Sequence, residues 1–561
     1  MTAIRHFERL PRGASRYLLV LLFGLLIWLP GFAQLPTIDR DEARYAQATT
    51  QMLETGNFVD IRFQGAARYK KPIGIYWLQA AAVTIAGGPE PGRIWPFRLP
   101  SLLGGLAALM LTVALGDRLF GGTVGLLAGL LLAAAPLLGI EVRMATTDAV
   151  LLACCLAALW ALAGIRGRRD ELRGVARPWR WRWGEPMLFW IALGLGVLIK
   201  GPIVLLVVGG TVAGLLLTER RWRWLADLRP VAGLCVALAI VLPWFLLIAH
   251  ASGGAFFERS VGRDFLGKLI GVQESHFGPP GYHLLLFWVA FWPVSLLVAL
   301  VAPAIWRDRR SDPVRFCLAW VVPAWLVFEV ALTKLPHYVL PLYPAIAILV
   351  ARGFLEGLPV AGGSWSFARR ASVAVVWTVI GLAIAGLGIA VPRALGLAPD
   401  PLAWLLVGAV AALSGAVLFS LRRQRKFQAV ALLLALAALP PLFLFGRMLP
   451  RLDPVWLSRE IARAVAAEKP CPTSTVAAVG YQEPSLVFAL GTATALVDAG
   501  EAAARLAADP ACGLVLVPDE EAPAFLRHLA GAALEARPVA AVSGFNYNML
   551  HVEHLTLYAA D

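Results

Sequence analysis

The residue types able to do transfer chemistry fall in a few short stretches of an otherwise apolar chain. From Leu35 to Ala46 it reads Leu-Pro-Thr-Ile-Asp-Arg-Asp-Glu-Ala-Arg-Tyr-Ala, with carboxylates at Asp39, Asp41 and Glu42. Asp39 and Glu42 fit the N-cap and capping box of a helix that runs to about Glu54 and stops at Gly56-Asn57. Asp41 has no such duty. Helical spacing sets Asp41, Arg44 and Tyr45 on one face, where a carboxylate, a guanidinium and a phenol can converge on one ligand; an ion pair along the helix is the structural alternative for Arg44. The run Arg68-Tyr69-Lys70-Lys71-Pro72 opens a second helix carrying Tyr76 and Trp77, a pattern suited to headgroup depth, which would bring Lys70 and Lys71 level with lipid phosphates. Asp148 heads a long apolar run. A carboxylate there costs about 2.5–3.5 kcal/mol at a span's centre and less near its end, and Thr146 or Thr147 could cap the helix instead, so Asp148 reads as functional. Lys200 precedes Gly201-Pro202, and Lys334 leads into Leu335-Pro336-His337-Tyr338; for both lysines, snorkelling to the interface is the alternative. His276 lies with Arg263, Asp264, Lys268 and Glu274 in another polar stretch, where a structural hydrogen bond competes with a ligand role. Cations able to hold an anion, beside carboxylates able to orient or deprotonate a hydroxyl, are what these stretches offer.

Positioning these residues falls to the membrane. Of 561 residues, 59% are hydrophobic and 15% charged, too little polar surface to cover a soluble core of that length. The net charge of +14 comes mainly from Arg in short segments between apolar runs, which argues for topology and against nucleic acid. About thirteen runs are long enough to span, from 17–33 to 427–446. Two of them, 186–199 and 201–218, are separated only by Gly201-Pro202 and could instead form one broken hairpin. Arg5, Arg9, Arg12 and Arg16, and then Arg clusters in every other loop, set a cytoplasmic N-terminus. The first run has no convincing cleavage site before Gln34 and reads as an uncleaved span. Two loops, about 34–93 and 251–281, are too long for turns and fall outside the cytoplasm together with the residues named above.

Residues 1–446 thus read as a transmembrane domain and 447–561 as a small periplasmic α/β domain. In the latter, a helix begins at Ser-Arg-Glu-Ile-Ala-Arg, and short strands are expected at Thr475–Tyr481, Ser485–Leu490, Ala495–Asp498, Gly513–Pro518 and Val539–Val542. Cys471 and Cys512 lie where a disulfide is permitted; Cys154, Cys155, Cys235 and Cys317 lie in apolar runs as small hydrophobes.

At these motifs the chain resembles the GT-C superfamily of membrane glycosyltransferases, which includes protein O-mannosyltransferases and, more closely, bacterial lipid A aminoarabinose transferases. The resemblance rests on Asp41-Glu42-Ala43-Arg44-Tyr45-Ala46, on Lys71-Pro72-Ile73 with Tyr76-Trp77, on Thr147-Asp148 and on Lys334-Leu335-Pro336-His337-Tyr338-Val339-Leu340-Pro341. It implies a helical polytopic fold in a bacterial inner membrane and a sugar donor carried on polyprenyl phosphate. It also implies a lipid A, lipopolysaccharide or other glycan acceptor on the periplasmic side. By similarity Asp41 and Asp148 line the catalytic cavity, while Arg44, Lys71 and Tyr338 hold the donor phosphate; Tyr45, Lys200 and Lys334 are further candidates for binding donor phosphate or substrate. Glu42, Lys70, His276 and His337 are secondary candidates. Some aminoarabinose transferases have Glu just before the Lys-Pro motif, able to contact a metal with a His; here that position is Lys70, so this site does not carry over. Asp41, Asp148 and His276 could still bind a divalent cation. Lys70 could recognise a second negative charge on the sugar or acceptor.

Two readings compete. Protein O-glycosylation would use a Ser or Thr acceptor. A secondary transporter would also place Asp and Lys in the membrane, although it predicts an inverted repeat and midplane charges that this sequence does not display. A non-catalytic assembly protein, binding partners through its C-terminal domain, is a further alternative.

Overall fold

The computed structural model describes residues 13–171, 183–219, 222–260, 262, 278–356 and 367–561. Within these, eight helices are long and apolar enough to cross a membrane: Trp95–Phe120, Asp148–Gly167, Pro230–Ala251, Asp312–Val330, Pro336–Glu356, Ala368–Ala394, Pro401–Arg422 and Lys426–Arg451. Ala14–Trp28, Gly122–Ala133, Glu185–Lys200 and Ile203–Glu219 fall on expected spans but are shorter, and the expected span 282–306 is divided into Tyr282–Ala290 and Ser295–Arg307. The chain is a multi-pass membrane protein; helix length alone does not establish the thirteen spans.

Two glycines set the helix approaches that matter. The Trp95–Phe120 helix meets the start of the Asp148–Glu171 helix at Gly104, where an added Cβ would lie 2.9 Å from the Ala149 backbone. The Gly74–Ile85 helix begins against the end of Glu185–Lys200, and a Cβ on Gly74 would lie 2.7 Å from the Leu198 carbonyl oxygen. Backbones that close need small residues. The first approach fixes Asp148, and the second brings the Lys70-Lys71 segment to Lys200.

The first polar loop folds as expected into a helix, Asp41–Thr55, ended by Gly56 at φ 67°. Its start differs. Glu42 does reach back to the Ile38 N–H (2.9 Å), but Asp39 caps nothing in its own helix. Its carboxylate accepts from the Ser485 N–H (2.7 Å) and hydroxyl (2.6 Å), and its own N–H donates to the Tyr547 hydroxyl (2.8 Å). The C-terminal region supplies the donors the helix would have used.

That region holds a five-stranded sheet. With β1 (Arg62–Phe63) and β2 (Ala66–Ala67) forming a small hairpin in the first loop, it comprises β3 (Val476–Val479), β4 (Ala495–Val497), β5 (Leu514–Pro518), β6 (Ala536–Asn546) and β7 (His551–Ala560), in the order β4-β3-β5-β7-β6. β3 is parallel to β4 and β5, and β7 is antiparallel to β5 and β6. Ser485–Leu490, expected as a strand, lies in the helix Pro484–Leu490: Pro484 suits a first helical turn, and the segment packs Phe488 edge-on to Phe97, ring centroids 5.3 Å apart. β7 was not expected at all. Cys471 and Cys512 are joined as a disulfide.

Candidate functional site

The site is built on helix ends. Asp148 stands in the first turn of its helix, and Lys200 is the last residue of Glu185–Lys200. Each charge suits the dipole end it occupies. The two helices pack side by side, and Lys200 Nζ lies 2.5 Å from Asp148 Oδ1, with both side chains more than nine-tenths buried. Thr147 Oγ1 donates to the other carboxylate oxygen at 3.3 Å.

Beside this pair, the 3-10 turn Pro336–Leu342 presents His337 and Tyr338. The His337 ring lies between two carboxylates, with Nδ1 3.5 Å from Glu141 Oε1 and Nε2 4.0 Å from Asp148 Oδ1. Glu141 ends the short helix Pro136–Glu141 and is held by the Thr146 hydroxyl at 3.0 Å. The Tyr338 ring centroid is 6.0 Å from Lys200 Nζ. One cavity is lined by Lys70, Lys71, Asp148, Lys200, His337 and Tyr338. Residues from four separate stretches of sequence therefore meet at one opening.

Asp41 and Tyr45, set on one face by their spacing, both meet Arg68. Asp41 lies 3.9 Å from Arg68, whose guanidinium also stands over the Tyr45 ring at 5.0 Å. Arg68 thus contacts both side chains, while the Arg44 charge acts on Asp39. Asp41 is 62% exposed and does not line the cavity, although its charge reaches Glu141. Lys334 is a clear departure from the sequence reading. Its ammonium is buried and donates to the carbonyls of Gly278 (2.8 Å) and Ala331 (2.7 Å), fixing the turn before His337 and leaving the cavity to others. Glu42 is likewise committed: fully buried, it pairs with both the Nε (2.8 Å) and Nη2 (2.8 Å) of Arg98 and accepts from the Ala145 N–H (2.8 Å). Arg98 also donates to the carbonyls of Phe32, Leu35 and Pro36. This clamp ties the first loop to the turn that carries Asp148. His276 and its neighbours lie outside the described residues.

Glu141 and Arg68 were not singled out from sequence. A carboxylate in the apolar run Leu137-Leu138-Gly139-Ile140 is the signal that could have found the first. Among the described residues, Glu141, Asp148 and His337 offer donor atoms within 4.8 Å of one another, a spacing compatible with a cation. The Lys200 ammonium already contributes a positive charge at Asp148. Farther out, burial raises the Asp39 carboxyl to about 7 despite the hydrogen bonds from Ser485.

Comparison with known proteins supports the fold. Residues 70–246 match the family model described as dolichyl-phosphate-mannose-protein mannosyltransferase. The undecaprenyl phosphate-alpha-4-amino-4-deoxy-L-arabinose arabinosyl transferase of Pseudomonas aeruginosa (strain LESB58) is 27% identical over 354 residues, 61% of this chain and 60% of that protein. Its counterpart in Enterobacter sp. (strain 638) is 26% identical over 351 residues, 60% and 59% of the two chains. The match thus spans about three-fifths of these relatives' length. The crystal structure of ArnT from Cupriavidus metallidurans bound to undecaprenyl phosphate superposes with a TM-score of 0.74 at 20% identity, covering 97% of this chain and 98% of that one. The chain has the fold of these membrane glycosyltransferases. The likeness extends to the archaeal oligosaccharyltransferase AglB from Archaeoglobus fulgidus, with a TM-score of 0.53 at 14% identity over 90% of this chain and 69% of that one. The resemblance read from the motifs is borne out, including the small C-terminal sheet.

Proposed function

We propose that the chain transfers a sugar from a polyprenyl-phosphate donor, of the undecaprenyl-phosphate type, to a lipid A, lipopolysaccharide or other envelope glycan acceptor. The observation that carries this reading is the shared cavity in which Lys70 and Lys71 face Asp148, Lys200 and Tyr338. Donor phosphate would be held by Lys71, with Lys70 and Tyr338 beside it; as the sugar departs, charge grows on that phosphate and the cations hold it more strongly. Asp148, paired with Lys200, orients the acceptor. Asp41 faces the positive charge that develops on the sugar. Names of the curated relatives support the donor class, as does the undecaprenyl phosphate bound to the ArnT structure.

The same reading sets the cavity and residues 447–561 on the periplasmic face of the bacterial inner membrane, with the N-terminus cytoplasmic. Residues 1–446 form the catalytic domain, and Asp39, Ser485 and Tyr547 bind the C-terminal domain to its first loop. A second reading is favoured by the family match over residues 70–246, namely transfer to a Ser or Thr hydroxyl of a protein.

Mass spectrometry of envelope glycolipids and glycoproteins from cells carrying the wild-type chain, Asp41→Asn or Asp148→Asn decides between them. A sugar mass lost from glycolipids in both variants supports the first reading, and one lost from glycoproteins supports the second. No change in either class, with no polyprenyl-phosphate sugar consumed by purified protein, would refute transfer.

A further inference from the structure

Resting on the transfer reading, we propose that the cleft between the first loop and the C-terminal domain is a second subsite, which takes a phosphorylated saccharide of the acceptor. The cavity there has a volume of about 380 Å³, against about 150 Å³ for the one that holds Asp148 and Lys200, and no residue lines both.

Its walls are built for a polar ligand. The helix Leu457–Glu468 buries Leu457, Ile461 and Val465 against the sheet and turns a second stripe to the cavity, in which Ala462 and Ala466 leave room and Arg459 and Arg463 stand one turn apart at the edge. The floor is already satisfied. Ser458 bonds Ser485 at 2.6 Å, and Ser485 donates to Asp39 Oδ2 at 2.6 Å. Around that floor, hydrogen-bonding capacity remains unspent. The Tyr547 hydroxyl accepts from the Asp39 N–H at 2.8 Å and keeps its own proton to donate. The Thr37 hydroxyl has no partner among the described residues. Arg463 uses Nη1 alone, 2.7 Å from Glu460 Oε1, so its Nε and Nη2 stay open at a side chain 59% exposed. The rings of Trp456 and Tyr547, at 76° with centroids 6.5 Å apart, make an apolar corner for the C–H face of a sugar.

The order of charges orients the ligand. With a carboxylate at the floor and guanidiniums at the rim, hydroxyls point inward and the anion outward; Asp453 and Glu460, which pair with the arginines, do not line the cavity. Open guanidinium donors in a planar fork suit a phosphate. Both walls follow closely on apolar helices: Thr37 comes after Ala14–Trp28, and Trp456 after Lys426–Arg451. A lipid-linked headgroup can therefore enter while its chains stay in the bilayer, which favours a glycolipid over a free saccharide. Asp39 lines this cavity, and Asp41, two residues on, sends its charge to Glu141 beside Asp148. A headgroup anchored here is thereby held next to the reaction cavity.

The test titrates the full-length chain, in phosphatidylcholine nanodiscs, with lipid A, with lipid A freed of phosphate by hydrofluoric acid, and with soluble glucose 1-phosphate. Lipid A should bind and lose about tenfold or more in affinity without its phosphates, the scale of one charge-assisted hydrogen bond. Arg463→Gln should lower lipid A affinity by a similar factor and leave that of the dephosphorylated form unchanged. Ala466→Trp, at an exposed position on the cavity wall, should weaken both forms by filling the mouth. In each variant undecaprenyl phosphate affinity and melting temperature should match wild type, and in transfer assays the acceptor KM should rise with kcat held, a split that a merely structural role of the helix would not give. Glucose 1-phosphate binding as tightly as lipid A, and weakened by Arg463→Gln, supports the same site with a free saccharide phosphate as its source.

Wild-type affinity for lipid A in both variants overturns the proposal, as does binding of none of the probes or equal affinity for the two lipid A forms in the wild-type chain; a sugar that Asp148→Asn removes from envelope glycans still supports transfer in those cases. A chain with no effect on any envelope glycan refutes transfer, while the titrations still decide the subsite.

Discussion

Lys200 Nζ and Asp148 Oδ1 lie 2.5 Å apart although 52 residues separate them, each at the end of a helix and each more than nine-tenths buried. Taking two charges out of water is costly, and removing one partner leaves the other uncompensated, at a cost of about 3–5 kcal/mol. Lys200→Met should therefore lower both activity and melting temperature. Asp148→Asn should abolish transfer with a smaller thermal effect, because the amide still accepts a hydrogen bond from the ammonium. Melting curves and transfer rates of the two variants check this, and equal stability with unchanged transfer in Lys200→Met would refute it.

Glu42 and Arg98 form a second buried pair, with a structural task. Arg98→Ala and Glu42→Ala should each lose about 3–5 kcal/mol, since either leaves a buried charge unpaired. The double variant should lose clearly less than the sum, because the two changes remove one shared interaction. Additive losses in chemical denaturation of the purified chain would show that the clamp is not a coupled unit.

How much of this was legible in the sequence depended on where a charge stood. Asp148 and Lys200 were readable because ionisable groups in apolar runs are costly and demand a reason. Lys334 gave the same signal for a different cause: carbonyls of Gly278 and Ala331 bind its ammonium, and no periodicity reveals such partners. Glu141 stayed hidden because Arg143, two residues on, makes the segment look like an ordinary polar turn, whereas Arg143 is itself buried, donating to carbonyls of Pro30 and Gly139. Asp39 was legible as a cap by local rules and was claimed by Ser485, 446 residues away. β7 was obscured by His551, Glu553 and His554, polar residues near the start of an edge hairpin whose later Leu555 and Leu557 are buried.

The Asp39 contact should depend on pH. Its folded value of about 7 stands above the ordinary 3.8, so the folded state binds the extra proton between those values. The stabilising contribution is full below about pH 4 and is lost as pH rises through about 7, with an upper bound of about 4 kcal/mol. Protection of the first loop and of Ser485 from hydrogen exchange, corrected for the intrinsic rate, should be stronger at pH 5 than at pH 8. Asp39→Asn should flatten the difference. Greater protection at the higher pH would reverse the sign and refute the assignment.

Lys70 and Lys71 line the cavity as neighbours, yet of these two the resemblance gives the phosphate to Lys71. Lys71→Ala should weaken undecaprenyl phosphate binding by roughly tenfold or more, the scale of one charge-assisted hydrogen bond of about 1.5–3 kcal/mol. Lys70→Glu should leave enough affinity to measure but change which donor sugars are used, shifting preference from acidic towards neutral or basic sugars, because it replaces a cation at the cavity wall with a carboxylate. Titration with undecaprenyl phosphate and competition between charged and neutral sugar donors separate the two effects. Identical donor preference in wild type and Lys70→Glu would remove Lys70 from sugar recognition. Unchanged affinity in Lys71→Ala would move the phosphate site to Lys200 and Tyr338.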